Sequence, residues 1–215
     1  MPLRAAPAQT MQQLPLEIAP PPEPTLENFI PGANAEALAR VSALADGRLD
    51  ERLVYLWGIP GSGRSHLLHA AARTAAGRLP LVIADDVGTL DAEAAQALFM
   101  AINTAREGRG AVLAAGDAPP AQLALRPDLA SRLGWGLVYQ LQPLSDEHKA
   151  AWLSAEAARR GLQLGEGVIE YLLTRLPRDL PSLAALVALL DRYSLARKRQ
   201  ITLPLVREFL QANAR

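Results

Sequence analysis

The chain has 215 residues, of which half are apolar and a fifth are charged, an ordinary composition for a globular protein. Basic and acidic residues balance at 22 each, so no overall positive charge attracts nucleic acid or an acidic membrane. The sequence has no cysteine, which excludes disulfides, thiol catalysis and cysteine-based zinc sites.

The N-terminal residues predict a tail rather than a targeting segment. Residues 1–26 are rich in proline, alanine and glutamine, which predicts a flexible segment, and they lack the apolar region of a secretory signal. No apolar run in the chain approaches the roughly 18 residues that span a bilayer. We therefore expect a cytoplasmic protein without membrane contact.

Residues 27–143 alternate predicted strands and helices. Short apolar runs predict buried strands, and apolar residues at helical spacing predict helices. The predicted strands are Arg52–Trp57, Leu79–Ala84, Ala111–Ala115 and Leu137–Leu141, and the predicted helices include Ala35–Ala45, Arg64–Ala76 and a short one near Asp128–Leu133. Asp91 is expected to cap a longer helix whose buried stripe would be Ala94, Ala97, Leu98, Ala101, Ile102 and Ala105.

Residues 144–215 read as helical throughout. Ser145 is expected to cap the first helix, and Gly161 to end it. Three further helices are predicted near Gly167–Arg175, Pro181–Ala196 and Leu203–Ala212. The chain is therefore predicted to be an α/β domain over 27–143 followed by a small all-helical lid over 144–215.

The segment Gly58–Ser65 reads G-I-P-G-S-G-R-S and fits the P-loop pattern G-x-x-x-x-G-K-[ST] except at the lysine. Such a loop directs backbone N–H groups at phosphate oxygens, and the following helix adds its positive end. An ordinary loop is the alternative, but the strand before it and the helix after it favour phosphate binding. The predicted phosphate-binding residues are Gly58, Pro60, Gly61, Ser62, Gly63, Arg64 and Ser65.

Two acids follow the next predicted strand, as in a Walker B segment. Asp85 is expected to hold Mg²⁺ together with the hydroxyl of Ser65. Asp86 is placed to orient an attacking water, although its side chain is one methylene shorter than glutamate. Taken alone, two acids after an apolar strand usually begin a loop, but their order after a P-loop favours a functional role.

Three further segments carry a family resemblance. They are Trp57–Ala70 (W-G-I-P-G-S-G-R-S-H-L-L-H-A), Ala114–Pro120 (A-A-G-D-A-P-P) and Asp128–Gly136 (D-L-A-S-R-L-G-W-G), with Leu141–Glu147 soon after the last. Over residues 12–213 the chain resembles the DnaA-related AAA+ family, and most closely its truncated Hda group. An arginine in the P-loop is typical of that group.

The resemblance implies a P-loop AAA+ domain with a reduced parallel sheet of about four strands and a C-terminal helical lid. It implies that ADP or ATP binds with Mg²⁺ and that Asp117 is the sensor-1 residue near the γ-phosphate. Arg132 matches the arginine finger that reaches a neighbouring subunit's nucleotide. Without the resemblance, the residues alone would favour a simple ion pair between Arg132 and Asp128.

The resemblance also implies a negative regulator of chromosomal replication initiation. Such a protein docks on the DNA polymerase III sliding clamp and promotes hydrolysis of ATP on the initiator DnaA, giving inactive DnaA–ADP. Gln13, Leu14 and Leu16 resemble the Q-L-x-L motif that binds the clamp. A homo-oligomer is possible. DnaA's helix-turn-helix domain has no counterpart, so sequence-specific DNA binding is not expected.

Two departures from the family bear on activity. The stretch between the P-loop helix and the Walker B strand is too short for the strand and helix that the family places there. The predicted strand Leu79–Ala84 should therefore form a sheet edge. Pro181 stands where the family has its sensor-2 arginine, and Arg178 lies about one turn too early. We therefore expect weak or absent intrinsic ATPase activity.

Three other functions remain open from the sequence. The main rival is an AAA+ accessory factor or loader that is driven by its own ATPase, which intact Asp85 and Asp86 favour. A protein that only bridges clamp and initiator would need Arg132 to be structural. A small-molecule kinase is ranked last, because the C-terminal helices have apolar packing faces rather than a mobile, arginine-rich lid.

Overall fold

A computed structural model describes residues 23–175 and 180–212 of the chain. The predicted clamp-binding residues Gln13, Leu14 and Leu16 lie outside the described residues, as does Arg178. No helix in the described part of the chain is long and apolar enough to cross a membrane.

The α/β domain is built on a four-stranded parallel sheet with strand order β2-β3-β1-β4. The strands are β1 (Leu53–Trp57), β2 (Leu81–Ala84), β3 (Ala111–Gly116) and β4 (Leu137–Gln140). The inner strand β3 is buried along its whole length, as its continuous apolar sequence predicts. The expectation of a reduced parallel sheet is confirmed.

Helices cover both faces of this sheet and then continue into the lid. They are α1 (Ala35–Ala45), α2 (Arg64–Ala75), α3 (Ala92–Arg106), α4 (Pro127–Leu133), α5 (Asp146–Arg159), α6 (Val168–Arg175), α7 (Leu180–Arg197) and α8 (Leu203–Ala212). One core joins α1 and α2 to the sheet, and a second joins α3 and α4 to its opposite face. Every predicted helix is present, with ends shifted by no more than a few residues.

Both predicted N-caps form. The Asp91 carboxylate accepts a hydrogen bond from the Ala94 N–H at 2.8 Å, and the Ser145 hydroxyl accepts one from the His148 N–H at 3.3 Å. Each cap satisfies one of the N–H groups that the first helical turn leaves without a partner. The short polar side chains therefore set where α3 and α5 begin.

The buried face of α3 differs from the predicted stripe. Ala95 is buried and Ala97 is exposed, whereas Leu98, Ile102 and Ala105 are buried as expected. Alanine is so frequent in this helix that its positions do not define a face. The larger Leu98 and Ile102 determine which side packs on the sheet.

The strand β2 lies at the edge of the sheet, as the shortened connection predicts. Only residues 76–80 separate α2 from β2, and Val82 is 44% exposed. The strand is short, and Pro80 precedes it with its carbonyl accepting a hydrogen bond from the Ala111 N–H. Short edge strands beside proline resist pairing with other chains.

The lid has a core of its own around α7. Leu186 and Leu190 pack with residues of α6 and α8, while Leu183 and Val187 pack with α5 and α6. An isolated parallel bridge between Leu164 and Ile201 joins the loops before α6 and α8. The four lid helices therefore form one packed unit after the α/β domain.

Candidate nucleotide site and arginine face

The P-loop follows β1 and turns into α2 at the carboxyl edge of the sheet. Gly63 has φ +96°, and a Cβ there would lie 2.7 Å from the Phe29 ring. A Cβ on Gly58 would lie 2.5 Å from the Leu141 carbonyl oxygen. The left-handed backbone at one position and the close approach at the other explain why glycine occupies both.

Two buried polar atoms in this loop lack a hydrogen-bond partner among the described residues. They are the Ser62 Oγ, in a residue only 5% exposed, and the Arg64 Nη1. A buried donor without a partner costs about 1–3 kcal/mol, and more when it is charged. An anion in the loop would accept from both groups, so the residues present fit a bound phosphate.

Arg64 forms an ion pair with Asp86, with 3.1 Å between Nη2 and Oδ1. The Arg64 side chain is 11% exposed and the Asp86 side chain is 58% exposed. Asp86 has φ +43°, and its N–H donates to the Asp85 carboxylate at 2.9 Å. In this arrangement the P-loop arginine and the expected water-orienting acid neutralise each other.

Asp117 follows β3 at the same edge of the sheet. Its carboxylate lies beside Gly88, in the turn after Asp86, since a Cβ on Gly88 would be 3.9 Å from the Asp117 Oδ1. The structure therefore brings the P-loop, the Walker B acids and the predicted sensor-1 residue to the carboxyl ends of β1, β2 and β3. Ligands of open α/β sheets bind at this edge.

Tyr55 is a residue of this region that the sequence did not single out. It is fully buried, and its hydroxyl donates to the Ala118 carbonyl at 2.8 Å. Burial raises the pKa of Tyr55 well above its usual range; the Asp117 charge raises it further and the Arg64 charge lowers it. The Tyr55 hydroxyl is thus close enough to Asp117 and Arg64 for both charges to affect its pKa.

The predicted metal ligands lie at the same edge, and among the described residues no hydrogen bond joins them. Ser65 is exposed in the first turn of α2, and Asp85 is half-buried after β2. Among the described residues there is no group of three or more His, Cys, Asp or Glu side chains that could hold a metal ion. A cation would therefore need phosphate oxygens in addition to Ser65 and Asp85.

Residues 23–29 pack beside the P-loop helix. Glu23 forms an ion pair with Arg73 of α2 at 2.5 Å, and the Thr25 carbonyl lies 2.9 Å from a His66 ring nitrogen. The ring of Phe29 lies 5.5 Å from that of His66. The end of the predicted tail is therefore fixed against the helix that follows the phosphate loop.

Arg132 lies near the end of α4 and does not pair with Asp128. Its Nε donates to the Asn103 side-chain oxygen at 2.9 Å, and its guanidinium carbon lies 3.8 Å from the centre of the Phe99 ring. Asp128 pairs with Arg126 at 3.0 Å, and the hydrogen bond from Arg126 holds the pKa of Asp128 below its usual value. The simple ion pair considered from the sequence does not form.

Arg132 belongs to a surface that we call the arginine face, in which basic and aromatic side chains alternate. The arginine face consists of Phe99, Asn103, Arg106, Arg126, Arg132 and Trp135. Arg106 lies 4.4 Å from the centre of a Trp135 ring and Arg132 lies 5.0 Å from it, and Trp135 is 49% exposed. Cations over aromatic faces are attracted by the ring quadrupole.

The arginine face adjoins a cleft of about 480 Å³, lined by Leu53, Arg106 and Trp135 among others. Leu53 begins β1 and the P-loop follows the other end of that strand, so the cleft lies toward the opposite end of the sheet. The chain's phosphate loop and its arginine face are therefore separate surfaces.

Comparison with known proteins shows what the lid and the whole fold each resemble. Residues 146–210 match the family model of the Hda lid domain. The fold matches DnaA bound to AMPPCP and single-stranded DNA, with 22% identity, a TM-score of 0.67 and coverage of 84% of this chain and 69% of the other. The C-terminal helices thus resemble the Hda lid domain, and the fold of the chain resembles that of DnaA.

Two further structures support the AAA+ fold. Domain III of Thermotoga maritima DnaA matches with a TM-score of 0.71 and 19% identity, over 89% of this chain and 97% of that one. The Thermotoga maritima RuvB Holliday junction branch migration motor matches with a TM-score of 0.63 and 17% identity, over 88% and 72%. The resemblance to DnaA-related AAA+ proteins and the α/β fold with its lid are confirmed.

The position that the resemblance assigns to the sensor-2 residue lies at the start of α7. That helix begins at Leu180, so Pro181 lies in its first turn, where the missing N–H of proline is tolerated. The side chain of Pro181 lies outside the described residues. The sensor-2 interpretation therefore stays a prediction.

Proposed function

We propose that this protein is a negative regulator of replication initiation that promotes hydrolysis of ATP bound to DnaA. Docked on the sliding clamp, it would contact ATP-bound DnaA and insert Arg132 beside that partner's phosphates. The product is inactive DnaA–ADP. The relation to DnaA and the Hda-type lid support DnaA as the partner.

The observation that carries this proposal is the state of Arg132. Its charge has no carboxylate partner among the described residues, although the side chain is half-buried. A held guanidinium without a carboxylate partner keeps its positive charge available for an anion, and this supports the proposal. An arginine supplied in trans neutralises charge that develops in the transition state, and is worth about 10³–10⁵ in rate.

The chain's own site is proposed to hold ADP or ATP with Mg²⁺. Backbone N–H groups of the loop from Gly58 to Ser65, the Ser62 hydroxyl and the Arg64 guanidinium would bind phosphate, and Ser65 and Asp85 would bind the cation. A DnaA structure with this fold binds the adenine nucleotide AMPPCP. The orphaned polar atoms of Ser62 and Arg64 support an anion in this chain's loop.

Intrinsic hydrolysis is proposed to be weak. Asp86 would have to orient water, but its carboxylate pairs with Arg64, which draws it toward the P-loop arginine. The rival proposal, an accessory factor or loader driven by its own ATPase, is favoured by the acids that converge at this edge of the sheet. It requires the Arg64–Asp86 pair to open when nucleotide binds.

Clamp docking rests on the sequence motif at Gln13, Leu14 and Leu16. A peptide of this kind offers two leucine anchors and one amide to a groove on the clamp. Docking would raise the concentration of the regulator beside DNA-bound DnaA, which is an effect of proximity rather than of new contacts with DnaA.

The proposal is tested by following labelled ATP on DnaA in the presence of clamp loaded on DNA. We expect conversion to DnaA–ADP with the wild-type chain, and its loss with Arg132→Ala and with the double variant Leu14→Ala/Leu16→Ala. Adding each variant in large excess separates a docking defect from a chemical one, because excess chain should restore stimulation with Leu14→Ala/Leu16→Ala but not with Arg132→Ala. Absence of stimulation together with brisk ATPase activity by this chain alone would favour the rival loader.

A further inference from the structure

The backbone on both sides of Asp117 is bonded to β1 and the loop that follows it. Before Asp117, the Gly116 carbonyl accepts a hydrogen bond from the Gly58 N–H, at the start of the P-loop, at 3.3 Å. After Asp117, the Ala118 carbonyl accepts one from the Tyr55 hydroxyl at 2.8 Å. The predicted sensor-1 residue therefore lies between two peptide groups that are tied to the phosphate loop and its strand.

The second of these hydrogen bonds depends on a side chain. Tyr55 is in register with Ala114 of β3, but its hydroxyl bonds the carbonyl of Ala118, four residues further along the chain. The length of the phenol side chain thus links β1 to the turn beyond β3. Phenylalanine would fill the same space but could not donate this hydrogen bond.

The surroundings of the Tyr55 hydroxyl are built for this contact. A Cβ on Gly116 would lie 2.2 Å from the hydroxyl oxygen, so the absence of a side chain there leaves the space that the hydroxyl occupies. Tyr55 is fully buried, and a buried phenol hydroxyl needs a hydrogen-bond partner. Burial and the charge of Asp117 raise the pKa of Tyr55, so the hydroxyl keeps the proton that it donates.

The Asp117 carboxylate differs from the other two acids at this edge of the sheet. Asp86 pairs with Arg64 at 3.1 Å, and Asp85 accepts a hydrogen bond from the Asp86 N–H. Asp117 is exposed, and among the described residues no hydrogen bond or ion pair joins its carboxylate. The position of its negative charge is therefore set by the backbone that carries it.

We propose that Tyr55 is a positioning residue for Asp117, whose hydroxyl, through the Ala118 carbonyl, fixes the distance from the Asp117 carboxylate to the terminal phosphate of a bound nucleotide. A carboxylate at that place repels a third phosphate more strongly than the first two. The position of Asp117 thus affects the preference between ATP and ADP. This inference rests on the proposed nucleotide site and on the expectation that Asp117 faces the γ-phosphate.

The test compares the dissociation constants of ADP and of a non-hydrolysable ATP analogue, both measured without Mg²⁺. Asp117→Asn removes the charge and should shift their ratio toward the ATP analogue by about threefold to tenfold, the effect of one unit charge a few ångströms away in water. Tyr55→Phe keeps the ring and releases the turn. It should shift the ratio in the same direction by a part of that amount, about twofold or more.

A double variant separates positioning from a general structural effect. If Tyr55 acts through Asp117, then Tyr55→Phe/Asp117→Asn should have the same ratio as Asp117→Asn alone, because no charge remains to be displaced. Tyr139→Phe is the matched control, since it removes a hydroxyl that bonds Glu36 at 3.2 Å from the edge strand β4. This control should leave the ratio unchanged.

A second readout examines the hydrogen bond itself. In a chain labelled with ¹³C at alanine carbonyls, Tyr55→Phe should shift the NMR signal of the Ala118 carbonyl, whereas Tyr139→Phe should leave it in place. The nucleotide-free protein suffices for this measurement. An Ala118 signal that does not respond to Tyr55→Phe would show that the bond is absent in solution, and the inference would be wrong.

The outcomes separate this inference from the proposed nucleotide site. If neither nucleotide binds the wild-type chain, the proposed site fails and the inference fails with it. An unchanged ratio in Asp117→Asn would overturn the inference while binding at the P-loop stands. If Asp117→Asn shifts the ratio and Tyr55→Phe does not, the positioning role alone is wrong. An equal effect of Tyr55→Phe with and without the Asp117 charge would also overturn it, because the role of Tyr55 would then be structural.

Discussion

Arg64 stands where the P-loop pattern has lysine, and its two terminal nitrogens have different surroundings. One nitrogen pairs with Asp86 and the other is buried without a partner among the described residues. A planar guanidinium can bind a phosphate with one nitrogen and keep a carboxylate on the other, which the single ammonium of lysine does less well. This favours nucleotide binding over hydrolysis.

Replacing Arg64 should therefore weaken nucleotide binding. Charge-assisted hydrogen bonds contribute about 1.5–3 kcal/mol, so Arg64→Ala should raise the dissociation constant for ADP by about tenfold or more. Titration with a fluorescent ADP analogue measures this. Arg73→Ala, which removes an exposed arginine from the same helix, should leave the constant unchanged. If Arg64→Ala and wild type bind ADP with equal affinity, Arg64 does not contact the phosphates of the nucleotide.

The glycines of the loop allow a matched pair of stability measurements. Gly61 and Gly63 both have positive φ, but a Cβ meets nothing within 4 Å at Gly61 and the Phe29 ring at Gly63. Gly61→Ala should cost about 1–2 kcal/mol of strain, and Gly63→Ala should cost about 1–3 kcal/mol more because of the overlap. Urea unfolding measures both; equal losses would contradict the close packing of Phe29.

At this scale the sequence predicts some site residues and misses others for a physical reason. Gly58, Gly63 and Arg64 belong to a local pattern, because a loop that surrounds a phosphate imposes its residues at fixed spacing. Tyr55 and Asn103 follow no such pattern. Each forms its hydrogen bond with a residue that is distant in sequence, and a tyrosine in a strand or an asparagine in a helix is unremarkable by itself.

The helices and strands were predictable where side-chain size or a cap defines them. The caps Asp91 and Ser145 begin their helices as expected, and the apolar run of β3 is buried throughout. The buried face of α3 was predicted with an error at Ala95 and Ala97, because alanine packs in either place. The edge position of β2 followed from a connection too short to hold another strand.

The lid offers a prediction on pH. Hydrogen bonds from Arg159, and then from Arg160, hold the pKa of Glu156 below its usual value, and the Glu156 side chain is mostly buried. Because the pKa is lower in the folded state, this stabilisation is present above the unfolded-state pKa and is lost as pH falls through the folded-state pKa. The free energy of unfolding should therefore decrease below the usual carboxyl range.

Urea unfolding between neutral and acidic pH tests this contribution. Glu156→Gln should be less stable than wild type at neutral pH, and the difference should shrink as the pH falls below the usual pKa of glutamate. Glu166→Gln, at an exposed position before α6, is the control and should show no such convergence. A difference between Glu156→Gln and wild type that stays constant with pH would contradict the ion-pair account.

In the molecule as a whole, the P-loop and the arginine face lie on separate surfaces. The phosphate loop lies at the carboxyl edge of the sheet, while the arginine face adjoins the cleft at the other end. A chain that hydrolyses its own ATP needs a positively charged side chain at its own nucleotide site. A chain that acts on a partner's ATP needs a positively charged side chain on another surface, and Arg132 lies on such a surface.

The most direct test of this account is the rate constant for hydrolysis of DnaA-bound ATP at saturating concentrations of this chain, where weaker docking no longer matters. Arg132→Ala is compared with Arg126→Ala, which removes a neighbouring arginine whose three nitrogens each donate a hydrogen bond to Asp128 or Gln96. We predict that Arg132→Ala lowers the rate by about 10³ or to the basal rate of DnaA, whereas Arg126→Ala retains stimulation. Full stimulation by Arg132→Ala would contradict the account.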